Sequence, residues 1–207
     1  GGGDFEVRTN IEIPAGNLVE IERLQMSSGG AFGGPGTIKL SGENEWASGV
    51  LQDDVILEIT PSSRLLLQGN GNGSFASSST PTIVNRGTFE FADTSNFNSN
   101  GEGKIENFGT LRFSKSAGIR LNSGIRTVLE NSGILIKESG GETGSSARST
   151  LTVDLNHSGT IEVSSGTLEL MGNHQISGPI EVANGAIIEF DGTNTTTFNS
   201  SGSIDGN

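Results

Sequence analysis

Apolar residues along the chain gather in short blocks, within which apolar and polar positions alternate. Examples are Phe-Glu-Val at residues 5–7, Val-Ile-Leu-Glu-Ile at 55–59 and Thr-Phe-Glu-Phe at 88–91. Gly, Asn or Ser bounds nearly every block. Such alternation is typical of half-buried β-strands, and the bounding residues are typical of turns. The pattern therefore predicts many short strands separated by tight corners, and it argues against a disordered chain.

One strand-bearing unit recurs four times along the middle of the chain. It consists of Asn, one or two further residues, Gly and then a strand, as in Asn-Phe-Gly-Thr-Leu-Arg-Phe at residues 107–113. Its glycines are Gly87, Gly109, Gly133 and Gly159, so successive copies are 22, 24 and 26 residues apart. The regular recurrence predicts a repeat architecture.

A second unit consists of two short strands joined by a tight corner. Its copies occupy residues 11–18, 57–65, 161–168 and 180–187, and the last two are 19 residues apart. Repeats of this length, with two or three strands each, are typical of the coils of a parallel β-helix. We predict an all-β, right-handed parallel β-helix (a β-solenoid) with coils of about 19–26 residues and projecting polar loops.

Stacking of the coils has to supply the core, because one coil cannot bury its inward side chains alone. We predict one inward column formed by Phe89, Leu111, Leu135 and Ile161. Residues 37–207 are predicted to form solenoid coils. Residues 1–36 are predicted to form an N-terminal coil or cap that is continuous with them as one domain.

The N-terminal quarter allows two interpretations. In the first, Asn17 and Glu20 form a helical capping box, with Leu18, Ile21 and Leu24 on one helix face. In the second, the same segment is the second strand of a corner unit. We favour the strand, because residues 11–18 match the later corner units.

Asparagines recur at the corners, where the backbone needs conformations that Asn and Gly tolerate. We predict a structural column of Asn85, Asn107 and Asn131, joined by Asn156 with a displacement of one residue. Stacked amides of this kind share hydrogen bonds from coil to coil. The alternative, a role of these asparagines in ligand binding, is less favoured.

Three stretches rich in Gly, Ser and Asn lack apolar periodicity, namely residues 68–82, 92–103 and 138–150. We predict that they project as polar loops. They lie about one coil apart, so they would group along one side of the solenoid. That side is the general expectation for a binding surface, because function tends to lie on loops held by a rigid scaffold.

Composition excludes several classes of function. The chain has 12 basic and 24 acidic residues, a net charge of −12, which argues against nucleic acid and anionic membrane surfaces as partners. It contains no Cys, so disulfides, thiolate zinc sites and thiol nucleophiles are excluded. No apolar run approaches the roughly 18 residues of a membrane helix, and membrane insertion is not expected. A signal peptide is not recognisable in this sequence.

Positive charge is concentrated in residues 104–148, which contain seven basic and four acidic residues. Within this region Arg112, Arg120 and Arg126 are candidate ligands for an acidic or sulfated glycan. The alternative is internal balancing, because Glu90 and Arg112 occupy the same position of consecutive coils and could pair. We favour internal balancing.

Glu162 and Glu181 share one position of the corner unit in adjacent coils. Like charges about 5 Å apart repel, and a calcium ion is one way to neutralise them. Screening by solvent is the simpler alternative, and we favour it. Glu162 and Glu181 are thus weak calcium candidates, and no cofactor or other metal is expected.

Catalysis is a competing hypothesis, because some polysaccharide lyases and hydrolases are parallel β-helices. Asp53 and Asp54 form the sole adjacent acidic pair, and successive strand residues point to opposite faces. His157 and His174 have no Ser or Asp partner at a recognisable spacing, and we expect them to be solvated corner residues. We predict no catalytic residues.

The Asn-x-Gly-Thr-Leu-x-Phe units, Ser-Gly-Thr-Leu-Glu-Leu at 165–170 and Gly-Ala-Ile-Ile-Glu-Phe-Asp-Gly at 185–192 resemble repeats of large bacterial surface proteins. Those repeats form adhesin-like or autotransporter-passenger-like β-helices, and the resemblance covers roughly residues 37–207. It implies a non-enzymatic, extracellular or cell-surface module for adhesion or display. Possible partners are glycans, cell-surface proteins and neighbouring domains of a longer chain. A β-helical carbohydrate-active enzyme and a pure structural spacer are the alternatives.

Overall fold

A computed structural model describes residues 4–69, 72–77, 79–191, 194–199 and 202–206, except the side chains of residues 145 and 146. The described chain is an all-β solenoid of about nine turns. Each turn contributes one strand to each of three faces, which we call A, B and C. All strand pairs are parallel. The parallel β-helix predicted from the repeats is confirmed.

Face A contains ten strands, one from each successive coil. In order they are β1 (Phe5–Val7), β4 (Leu24–Met26), β7 (Glu43–Trp46), β10 (Arg64–Leu67), β13 (Thr88–Phe91), β16 (Thr110–Ser114), β19 (Ile134–Glu138), β21 (Thr160–Val163), β24 (Pro179–Val182) and β27 (Ser203–Gly206).

Faces B and C follow in the same coils and join into one 17-stranded sheet through a long shared strand, β20 (Arg148–His157). Face B also contains β2 (Asn10–Glu12), β5 (Ala31–Gly33), β8 (Gly49–Leu51), β11 (Asn72–Phe75), β14 (Asn96–Ser99), β17 (Gly118–Leu121), β22 (Thr167–Met171) and β25 (Ile187–Asp191). Face C also contains β3 (Leu18–Ile21), β6 (Thr37–Leu40), β9 (Ile56–Ile59), β12 (Thr82–Asn85), β15 (Lys104–Asn107), β18 (Thr127–Asn131), β23 (His174–Ile176) and β26 (Thr196–Phe198).

The strand register sets the length of each coil. The offset between paired residues of face A ranges from 19, between Phe5 and Leu24, to 26, between Leu135 and Ile161. The predicted coil length of 19–26 residues is therefore confirmed on face A. On face B, the offset from Ile119 to Leu151 is 32, because the segment with the 3₁₀ turn at Gly144–Ala147 lies between them. The predicted inward column is also confirmed, because Phe89, Leu111, Leu135 and Ile161 pair in succession and are fully buried.

Aromatic side chains stack along the interior. The ring centroids of Phe91 and Phe113 lie 4.6 Å apart, and those of Phe75 and Phe97 lie 4.7 Å apart. These distances follow from the strand spacing of about 4.8 Å, which brings equivalent side chains of successive coils into contact. Each coil thus completes the burial of its neighbour, and the core is continuous.

The N-terminal quarter forms strands. Leu18 is exposed on β3, whereas Ile21 and Leu24 are buried on β3 and β4. A helix would have placed all three side chains on one buried face. The strand interpretation is confirmed and the helix alternative is wrong. The strands within residues 4–36 pair into the same three faces as the later ones.

The predicted loops are wrong over two segments. Strand β11 lies inside the predicted loop 68–82, and β14 lies inside 92–103. Each strand has one inward aromatic side chain, Phe75 or Phe97, and otherwise small or polar residues. Pairing with both neighbouring coils satisfies the backbone of such a strand without a strong apolar pattern.

The third predicted loop, residues 138–150, contains a 3₁₀ turn at Gly144–Ala147, after which β20 begins. All three stretches adjoin face B, so the corners around that face carry much of the polar chain. Over the described part of the chain, no helix is long and apolar enough to cross a membrane.

Candidate functional site

The amides of three corner asparagines stack at the end of face C. Asn85 Nδ2 donates to Asn107 Oδ1 over 2.6 Å, and Asn107 Nδ2 donates to Asn131 Oδ1 over 2.6 Å. The same nitrogens of Asn85 and Asn107 also donate to the carbonyl oxygens of Thr110 and Ile134, at 2.8 and 3.1 Å. All three asparagines are buried. Their contacts are structural, because each amide joins one coil to the next.

The fourth position of this ladder is occupied by His157 and not by Asn156. Asn131 Nδ2 lies 2.9 Å from His157 Nδ1, and the two residues pair in register. Asn156 points outward and donates to Glu130 Oε1 over 2.9 Å. The prediction for Asn156 is therefore wrong. The ladder residue is the one that stands two places before the corner glycine, here Gly159, and counting from that glycine would have identified His157.

Both histidines are buried, which corrects the expectation that they are solvated. Asn131 Nδ2 carries hydrogens, so His157 Nδ1 accepts and Nε2 carries the ring proton, facing Pro179 O at 3.3 Å. Burial lowers the pKa of His157, and burial likewise lowers the pKa of His174. His174 Nδ1 lies 2.9 Å from Thr196 Oγ1. Both side chains belong to the core.

Glycines form a second column beside the ladder. A Cβ atom on Gly109 would meet the carbonyl oxygen of Gly87, and one on Gly133 would meet that of Gly109. The same overlap recurs at Gly159 and Gly178. The corner backbones therefore stack too closely for any side chain. This explains why Gly stands two places after the ladder residue in each repeat.

Most charges of the basic region are paired. Arg112 Nη1 lies 2.9 Å from Glu138, and Arg126 Nη1 lies 3.8 Å from Asp154. Arg120 is exposed, and no ion pair to it is found among the described residues. Glu90 pairs with Arg64 at 2.9 Å, so the expected pair of Glu90 with Arg112 is wrong. The long arginine side chains reach diagonal neighbours instead of the residue directly opposite.

Lys137 is a buried cation that the sequence analysis did not single out. It lies inside the solenoid, in the column occupied by Phe113 and Val163 in the adjacent coils. Nζ donates to the carbonyl oxygens of Lys115 and Glu138, at 2.5 and 2.6 Å. Burial lowers its pKa to about 8. These contacts tie the corner of one coil to that of the next.

The weak calcium candidates lie in one outward row of face A. Glu162 pairs in register with Glu181, and Glu181 pairs with Asp205. The three carboxylates line an open cavity of about 360 Å³. Within the described ranges, no group of three or more His, Asp or Glu side chains has an arrangement suited to a metal ion. Calcium binding here stays a prediction.

The adjacent acidic pair has structural contacts. Asp53 adopts a left-handed turn with φ of 55°, and its Oδ2 accepts from the backbone N–H of Gly34 over 3.1 Å. Asp54 accepts a hydrogen bond from the hydroxyl of Thr80. The two carboxylates thus accept hydrogen bonds from separate neighbours at a corner, as Asp commonly does in turns.

One exposed aromatic residue at a corner was also missed. Phe108 follows the ladder residue Asn107, and half of its surface (50%) is exposed. The guanidinium carbon of Arg86 lies 4.7 Å from its ring centroid. A cavity of about 280 Å³ adjoins it, lined also by Glu130 and Asn156. The signal in the sequence was an aromatic residue at the variable position of Asn-x-Gly.

Comparisons with protein-family models, with curated proteins and with solved structures found no match to this chain.

Proposed function

We propose that the protein is a non-enzymatic repeat module that serves adhesion or surface display as a stiff, extracellular rod. The observation that supports this most directly is the unbroken stack of about nine coils with a continuous core. At about 4.8 Å per coil, the stack is about 40 Å long. Parallel strands pair along its whole length, so bending the rod would distort many backbone hydrogen bonds at once.

Side-chain contacts between coils add to this stiffness. Arg64 lies 3.5 Å from Glu43 and 2.9 Å from Glu90, so it links three successive coils. Arg148 binds Glu169 at 3.0 Å and also pairs with Glu189, which links three coils at the other end. Single surface pairs stabilise a fold by only about 0–1 kcal/mol, but such links oppose sliding of one coil over another.

The outer surface suits display. Outward side chains form rows on all three faces, repeated at about 4.8 Å along the rod. A net charge of −12 favours solvation and opposes non-specific binding to anionic surfaces. On this proposal, glycans or cell-surface proteins contact the rows or the corners, and neighbouring domains of a longer chain are held at a fixed distance.

The rod is tested by small-angle X-ray scattering on the purified chain. We expect a cross-section and length that match the solenoid, with no change on addition of glycans. The adhesive role is tested on an array of glycans and cell-surface proteins, once with calcium and once with a chelator. Specific binding in either arm supports adhesion. If the rod is folded and nothing binds in either arm, the adhesive role is overturned and the role of a structural spacer remains.

The chelator arm also separates the two weak candidate regions. Binding that the chelator abolishes would implicate Glu162 and Glu181. Binding that survives and that is lost in the variant Arg120→Gln would implicate the basic region. Arg120 is the informative position there, because it is exposed, whereas Arg112 and Arg126 are ion-paired.

A further inference from the structure

In four successive coils, the corner between faces C and A exposes one outward side chain, placed between the ladder residue and the stacked glycine. In order along the rod, these residues are Arg86, Phe108, Ser132 and Ser158. Two large side chains are thus followed by two small ones. The change in size leaves space beside Phe108, on the side of the later coils.

Two contacts restrain Phe108. Its backbone N–H donates to the carbonyl oxygen of Asn85 over 2.8 Å, and Arg86 covers one ring face at 4.7 Å. A cation over an aromatic face is attracted by the ring quadrupole, so the stack opposes rotation of the ring. The cavity is lined by Phe108, Ser132 and Ser158 but not by Arg86. Phe108 therefore borders the cavity on a side that the guanidinium does not cover.

Polar groups line the same cavity as Phe108. Glu130 and Asn156 line the cavity, and the Asn156 amide orients the Glu130 carboxylate through a contact of 2.9 Å. Lys104 lies there as well, but Glu106 pairs with it at 2.7 Å. That hydrogen bond raises the pKa of Lys104. The cavity thus offers carboxylate, amide and hydroxyl groups, and its cation already has a partner.

We propose that this cavity binds a neutral pyranose ring. The axial C–H bonds of such a ring form an apolar face that can lie on Phe108, and its hydroxyls can donate to Glu130 and bind Asn156 and Ser132. A volume of about 280 Å³ is close to the lower end of small-ligand sites, at roughly 300 Å³. The carboxylates of Glu106 and Glu130 disfavour an anionic sugar. This inference rests on the adhesive role proposed above and names its ligand class.

Saturation-transfer NMR on the full chain tests the site with methyl glucoside, methyl galactoside and methyl mannoside as neutral probes and methyl glucuronide as the anionic one. An open site of this size predicts dissociation constants in roughly the millimolar range. We expect at least one neutral glycoside to receive saturation on the C–H protons of one ring face. The variant Phe108→Ala should lose at least tenfold in affinity, whereas Phe108→Trp should retain it.

The matched control is Ile125→Ala, which removes another exposed apolar side chain (55% exposed) at a different corner and should bind like the unchanged chain. Absence of transfer from every neutral glycoside, equal binding by Phe108→Ala, or stronger binding of the glucuronide would each overturn the proposal. Small-angle X-ray scattering of the same samples shows separately whether the rod is intact. An intact rod whose array binding is unaffected by Phe108→Ala would overturn this site and leave the adhesive role standing.

Discussion

Raising the pH from 7 to 10 should stabilise the fold through the single side chain of Lys137. Burial lowers its pKa from 10.5 to about 8 in the folded chain. Between these values the unfolded chain holds a proton that the folded chain has released, so the free energy of unfolding rises with pH. Below about pH 8 both states are protonated, and the cost of burying the ammonium is present in full.

The expected gain follows from linkage. The fall of the pKa from 10.5 to about 8 on folding gives roughly 2–3 kcal/mol of added stability between pH 7 and pH 10. Lys137→Met keeps the volume and removes the titrating group, so that variant should lack this gain. Its own stability also reflects the carbonyl oxygens of Lys115 and Glu138, which lose a donor. The slope with pH, and not the absolute stability, is therefore the diagnostic quantity.

The assay is urea unfolding followed by circular dichroism at pH 7, 8, 9 and 10, on the unchanged chain and on Lys137→Met. The matched control is Lys39→Met, on an outer row of face C, which should follow the pH profile of the unchanged chain. Staying at or below pH 10 avoids titrating the paired surface lysines, Lys104 and Lys115, whose pKa values are raised by their acidic partners. Parallel pH profiles for the unchanged chain and Lys137→Met would refute the reasoning.

Three further predictions concern buried histidines, the asparagine ladder and the stacked glycines. Burial lowers the pKa values of His157 and His174, so unfolding free energy should fall as the pH drops below about 6.5, and His157→Asn should flatten that fall in urea titrations. Asn107→Leu leaves amide groups on both sides unpaired and should cost about 2–4 kcal/mol, whereas the exposed Asn156→Ala should change stability by less than about 0.5 kcal/mol, both measured by chemical denaturation. Gly133→Ala forces a Cβ against a carbonyl oxygen and should cost about 1–3 kcal/mol in thermal unfolding, whereas Gly206→Ala, with open space around it, should be neutral.

The repeat spacing was sufficient to predict the coils and the inward column, because in-register stacking makes chain position equivalent to spatial position. Phe89 and Leu111 could be paired on paper by counting from Gly87 and Gly109. Counting from Gly159 in the same way gives His157, whereas the amide side chain favours Asn156. The corner glycine is the more reliable marker of position, because no other residue fits there. An asparagine can be buried in the ladder or exposed on the outer surface.

Two polar strands, β11 and β14, could not be identified from the periodicity of the sequence. β11 reads Asn-Gly-Ser-Phe and β14 reads Asn-Phe-Asn-Ser, so each has little apolar alternation. Their stability comes from the coils above and below, which supply hydrogen-bond partners for the backbone and an interior for Phe75 and Phe97. Local propensity is weak in such strands, and the tertiary stack determines their structure.

Lys137 is a second residue for which the stack of coils overrides the local preference. Within Ile-Leu-Ile-Lys-Glu at residues 134–138, Leu135 is inward, and alternation alone places Ile136 outside and Lys137 inside. Lysine favours contact with water, which would reverse this pattern. A shift of one residue in the register of β19 would place Lys137 outside. That shift would expose Leu135 and break the register of β19 with β16 and β21. The register is therefore retained and the ammonium binds the corner carbonyl oxygens instead.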